Sequence, residues 1–122
     1  MGSIEHFVRG RGGGTSEAYR LFREAILTER QVTCVYDGHY RELCPHIIGR
    51  TKGREAVLCW QFGGESSKGL LPGGVWRCFY LANVSDVKLR DGPWQSGDRH
   101  RSEQTCVTEI DLDINIHVRK LR

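Results

Sequence analysis

From Gln31 onward the apolar residues of this chain recur at every second position, in short runs separated by turn residues, and that period excludes a helical fold for most of its length. Val32-Thr33-Cys34-Val35-Tyr36 runs into Asp37-Gly38, a dipeptide suited to the positive φ angles of a two-residue hairpin turn, and His39-Tyr40-Arg41-Glu42-Leu43 returns as its partner. Pro45 has no ladder donor and ends or bulges that strand; Ile47-Ile48-Gly49 then leads to a turn at Arg50-Thr51-Lys52-Gly53. Residues 56–62, 75–81 and the shorter run 84–89 read as further strands. The stretch 63–74, rich in Gly, reads as an exposed hairpin loop, and 90–101 as a polar, turn-rich connection. In the tail, taken as a strand over 105–118, Ile110, Leu112, Ile114, Ile116 and Val118 alternate with Glu109, Asp111, Asp113, Asn115 and His117, the pattern of a half-buried antiparallel strand.

Before these strands the period is helical. Thr15 or Ser16 offers an N-cap oxygen, and Ala18, Leu21, Phe22, Ala25 and Ile26 recur at three-four spacing, which predicts one amphipathic helix over 15–29. Nothing in it resembles the second helix of a DNA-reading helix-turn-helix. Residues 1–14 end in Val8-Arg9-Gly10-Arg11-Gly12-Gly13-Gly14, whose glycines predict a flexible segment. With 122 residues, 39% of them hydrophobic and 27% charged, the remainder (15–122) makes one ordinary soluble domain. One helix followed by barrel strands over 31–89 and the C-terminal strand predicts a mainly β fold, a small, strongly bent antiparallel sheet or partly open barrel.

Composition excludes more than it names. Eighteen basic against fifteen acidic residues leave a formal charge of +3, too little for a histone-like partner or a membrane-surface anchor, and no apolar run approaches bilayer length. No secretory leader is visible, and Met1-Gly2-Ser3 lacks the Ser or Thr at position 6 that a myristoylation signal carries, that position being His6. The five cysteines, Cys34, Cys44, Cys59, Cys78 and Cys106, are widely spaced with one left over, which reads as reduced, mostly buried thiols in a cytoplasmic chain and not as a disulfide framework. Cys44-Pro45-His46 is the one close Cys/His pair, short of the ligands zinc needs, so neither metal nor cofactor is expected. Nucleophile elbow, phosphate loop and zinc-helix motifs are all absent from the sequence; Asp111 and Asp113 share a strand parity as a solvated acidic face would, and no enzyme is expected.

The order of the segments resembles a WYL domain: Ala25 in the helix, a strand ending in Tyr36, a turn, Arg41, Pro45, and later Trp76-Arg77-Cys78-Phe79-Tyr80-Leu81 followed by Val84, together spanning residues 18–89. Where the family carries its naming Trp-Tyr-Leu triplet this chain has Trp60-Gln61-Phe62, and Ala82-Asn83 replaces the usual Asp-Arg. The resemblance implies an Sm-like or SH3-like barrel of the kind fused to helix-turn-helix domains in bacterial regulators, and a role in sensing nucleotides or single-stranded nucleic acid.

Four residues are candidates for that role. Arg77 shares strand parity with Val75, Phe79 and Leu81, where an unpaired guanidinium would cost several kcal/mol, so it needs an anion: a carboxylate of the chain such as Glu42, or a ligand phosphate. Arg41 shares parity with Leu43 and falls near Tyr36, which offers a forked donor beside a ring for stacking; a surface Arg and a rim Tyr fit the pattern too. His46, after the bulge proline, is either a phosphate donor or a loop histidine held by its neighbours. The expected function is a non-catalytic binding domain for a phosphate-bearing ligand, single-stranded nucleic acid or a nucleotide, through Tyr36, Arg41, His46 and Arg77. The alternative is an interaction module that forms a homodimer by adding its C-terminal strand to a neighbour's sheet edge.

Overall fold

The computed structural model describes residues 14–65, 73–97 and 104–118. One helix, α1 (Glu17–Thr28), precedes β1 (Gln31–Tyr36), β2 (His39–Thr51), β3 (Arg54–Gly64), β4 (Val75–Tyr80) and β5 (Val84–Arg90), with a single 3-10 turn at Leu81–Asn83 joining β4 to β5. A short β6 (Glu109–Asp113) and a π-helical turn (Ile114–Val118) follow. The strands form one antiparallel sheet in the order β4-β3-β2-β1-β5, with β6 paired to β2. It is a mainly β, open-barrel arrangement, as the strand pattern predicts, because β4 and β5 are linked by the 3-10 turn and not by a hydrogen-bonded ladder. The flexible segment expected over 1–14 lies, apart from Gly14, outside the described residues.

Local chemistry explains the elements. Ser16 is the N-cap of α1: its Oγ accepts from the Tyr19 amide at 3.0 Å and donates to Glu55 Oε1 at 2.6 Å, so the cap also ties the helix to the β2–β3 hairpin. Asp37 and Gly38, at φ 55° and 76°, make the tight β1–β2 turn, and Lys52 and Gly53, at φ 52° and 79°, repeat the device between β2 and β3. Pro45 does not end its strand. The register slips between Pro45 and Ile47, so β2 bends and continues, and while β1 pairs with its first half, Ile47 to Arg50 pair with β6. At Gly49 an added Cβ would come within 2.0 Å of the Glu109 carbonyl oxygen, so the β2–β6 approach requires glycine there.

The sheet buries both faces. On the inner face Phe22, Ala25 and Ile26 of α1 pack against Val32, Leu43, Ile48, Val57 and Phe79 in the main core. On the outer face a smaller cluster joins Ile47, Ala56 and Leu58 to Cys106 and Val107, with Trp76 and Tyr80 against it. Two expectations about packing are corrected. Tyr19, not Leu21, completes the buried helix stripe, because its hydroxyl donates to Asp111 Oδ2 at 2.7 Å while its ring stays 5% exposed. The tail strand covers 109–113 and not 105–118; Leu112 and Ile114 are buried, but Ile110 and Ile116 are 51% and 62% exposed, because a register slip beside Gly49 and the π turn break the alternation. No helix among the described residues is long and apolar enough to cross a membrane.

The cysteine expectation is corrected most. Cys78, on the outer face of β4, forms a disulfide with Cys106, with Cα atoms 5.5 Å apart, while Cys34, Cys44 and Cys59 are free and buried. Wide spacing in sequence concealed the pair, since only the passage of 104–107 across the sheet brings the partners together. Closing a loop of 28 residues removes enough unfolded-chain entropy that reduction should lower unfolding stability by about 3.5 kcal/mol. Urea titrations with and without dithiothreitol check this; coincident curves contradict it.

Candidate functional site

Cross-strand register builds the site. Directly opposed residues share a face, so Cys34 with Arg41, Leu43 with Gln61, Cys59 with Arg77 and Val57 with Phe79 all belong to the inner face that carries the core. Three polar side chains, Arg41, Gln61 and Arg77, therefore lie on an otherwise apolar surface.

Arg41 is the most buried of the basic residues described, at 4% exposure. Its Nη1 donates to Gln61 Oε1 at 3.2 Å and its Nη2 to the Tyr36 carbonyl at 3.0 Å, and its guanidinium carbon lies 5.5 Å from the Tyr36 ring centre and 5.6 Å from that of Phe79. Those two rings meet edge-on at 4.8 Å, so the cation is held between aromatic faces of fixed orientation. Gln61 orients the donor: its Nε2 donates to the carbonyls of Gly63 and Glu65, both at 3.0 Å, which leaves its oxygen facing Arg41. All these acceptors are neutral. Among the described residues no carboxylate forms an ion pair with Arg41, and its Nε has no hydrogen-bond partner. Burial and then the positive charge of Arg77 lower the Arg41 pKa, with Asp37 opposing them more weakly. Arg77 stands on the same inner face, opposite Cys59 of β3.

The structure brings Tyr36, Arg41 and Arg77 to one face and leaves His46 on the other. His46 is the extra residue of the β2 bulge, 2% exposed; its Nδ1 lies 2.8 Å from the Cys44 carbonyl oxygen and its Nε2 3.1 Å from Ser96 Oγ. Its ring meets those of Trp76 and Trp94, each at 4.9 Å. Glu42, the internal partner considered for Arg77, is engaged instead by Arg90 at 3.4 Å and by the Tyr40 hydroxyl at 3.0 Å. Gln61 was missed from sequence, although its parity with Val57 and Cys59 marks a polar residue on the inner face. The aromatic layer around His46 was missed as well, since the segment that completes it, with Trp94 and Ser96, is remote in sequence.

Chemically the site offers cationic donors and rings. Burial pushes the Cys34 thiol up to about 12 and Cys44 to about 11, and Cys59 well above the usual range. Among the described residues no three His, Cys, Asp or Glu side chains gather as metal ligands. The unfolded chain releases its thiol protons near 9, whereas the native chain holds them, so this contribution to stability is complete below pH 9 and is lost as the pH rises through the native values. Urea midpoints should fall between about pH 8 and about pH 10, and Cys34→Ala with Cys44→Ala should flatten the decline relative to the parent. An unchanged slope contradicts the assignment.

No family model matches the chain, and no curated protein or solved structure is detectably similar to it.

Proposed function

We propose that this chain is a non-catalytic binding domain for a phosphate-bearing ligand, a nucleotide or single-stranded nucleic acid, recognised through Arg77 and Arg41 beside Tyr36. The observation that carries the reading is two arginines on one inner barrel face, Arg41 buried and bonded to neutral oxygens alone. Each positive charge raises the cost of the other, and an anion between them reverses the sign of that term. Guanidinium forks suit phosphate oxygens, and Tyr36 supplies an aromatic face close by. The resemblance to WYL domains points to the same ligand class. His46 is not part of this reading, since its ring nitrogens are engaged on the opposite face. Such ligands put the chain in the cytoplasm, where the Cys78–Cys106 pair meets a reducing thiol pool.

Fluorescence anisotropy of a short labelled oligoadenylate, with adenosine diphosphate as competitor, tests the proposal. Binding at low salt that weakens as salt is raised is expected, and Arg77→Gln should weaken it about tenfold to a hundredfold, the scale of a lost charge-assisted hydrogen bond. Absence of binding at low salt, or an Arg77→Gln protein that binds like the parent, overturns it.

A further inference from the structure

The segment Gln104–Cys106 crosses the outer face of the sheet as a strap with two different fastenings. Beyond its C-terminal end the hold is non-covalent: Val107 is 1% exposed and packs against Gly49, and the Thr108 hydroxyl lies 2.8 Å from that of Thr51 on β2. At β4 the hold is the Cys78–Cys106 disulfide. Among the described residues, Gln104, Thr105 and Cys106 make no hydrogen bond to β3 or β4. The Gln104 amide donates to the Val107 carbonyl at 2.8 Å and accepts from the Val107 amide at 3.0 Å, which shapes the strap without attaching it to the sheet. Thr105 is exposed and Gln104 half-buried, so apolar contact from these two adds little to the hold. A groove of about 420 Å³ lies along the strap, lined by Leu58, Trp76 and Tyr80 together with both bridging cysteines.

We infer that Cys78 and Cys106 form a reversible dithiol–disulfide switch: a dithiol reductant opens the bridge, and residues 104–106 swing from Val107 to uncover Leu58, Trp76 and Tyr80 on the outer face. The inference stands apart from the phosphate reading. Cys78 is exposed and both cysteines line the groove, so a reductant reaches the bridge without unfolding the sheet. No lining residue is acidic, and an incoming thiolate meets no carboxylate there. That thiolate attacks Cys78 Sγ and forms a mixed disulfide, the bond between the chain's two sulfurs breaks, and its electron pair leaves on Cys106, which takes up a proton. The reductant's second thiol then displaces Cys78 and closes the reductant's own disulfide. Two electrons and two protons pass to the chain, and a small disulfide oxidant reverses both steps. The other three thiols do not intrude. Cys34, Cys44 and Cys59 are buried, and burial keeps them protonated well above the ordinary thiol range. A bridge exposed at one end is the readily exchanged kind, and the sulfurs with which it could reshuffle are shut away.

Alkylation of the native full chain with N-ethylmaleimide, read by intact mass, tests the chemistry. The oxidised chain should take no label. After dithiothreitol, without denaturant, it should take two, which peptide mapping places on Cys78 and Cys106, and oxidised glutathione should restore the unlabelled state. Hydroxyl-radical footprinting tests the strap. Trp76 and Tyr80 should become about twofold more reactive in the reduced chain, the step from half-buried to exposed, while Phe22 and Phe79 of the main core keep their protection. A chain carrying Cys78→Ser and Cys106→Ser should show the reduced pattern with or without dithiothreitol; the parent chain alone carries the test where that variant fails to fold. A bridge that dithiothreitol does not open in the native chain, a label on Cys34, Cys44 or Cys59, failure of oxidised glutathione to close the bridge again, or equal reactivity of Trp76 and Tyr80 in both states overturns the switch. Each of these results leaves the phosphate reading standing, since the anisotropy experiment reads Arg77 on the inner face.

Discussion

The bend in β2 at Pro45 is the constraint on which the rest of the molecule depends. A flat strand of thirteen residues would have to choose between two partners on one edge; the slipped register lets β1 use the first half and β6 the second. The slip also repeats a side. His46 and Ile47 both serve the outer face, whereas Leu43 before the bulge and Ile48 after it both serve the inner core. One proline without an amide donor thereby sets the curvature of the barrel, the place of the C-terminal strand and the seat of the outer aromatic layer.

The same curvature surrounds Arg41 with protein. A guanidinium removed from water forfeits hydration worth several kcal/mol, and the replacements here are two hydrogen bonds to neutral oxygens and two ring faces. A hydrophobic side chain of similar length would fill that place with less electrostatic cost. That a cation stands there, beside a second one, is the sort of local disadvantage that folded chains tolerate where charge is used. Gln61 supports this arrangement, because its amide hydrogens are fixed on two carbonyls and its oxygen has one direction left.

Much of this was legible in the sequence, and the limits have physical causes. The Asp37-Gly38 and Lys52-Gly53 turns announce themselves because few residue pairs accept positive φ, and alternation placed Arg41 and Arg77 on the core side. Local patterns failed where a distant segment decided the outcome. The buried position of Tyr19 depends on Asp111, and the Cys78–Cys106 bridge on a crossing that no short window contains. His46 read as a neighbour of Arg41 by position along the chain, but strand alternation already puts it on the other face, and the extra residue in the ladder keeps Ile47 there beside it. The same arithmetic explains the tail, whose clean alternation was expected to persist through Val118 and stops at Asp113.

The covalent bridge also changes how the molecule answers a pull on its ends. With Cys78 and Cys106 joined, β5 and the crossing segment form a closed ring off the load path, and the stretch between the sulfurs, a sequence separation of 28, adds nothing to the extended length. Roughly 90 Å of contour stays hidden from a stretching force until the bond is cut. Tension would then reach β5 only through its pairing with β1, so the mechanical weak point of the oxidised chain lies elsewhere than in the reduced one.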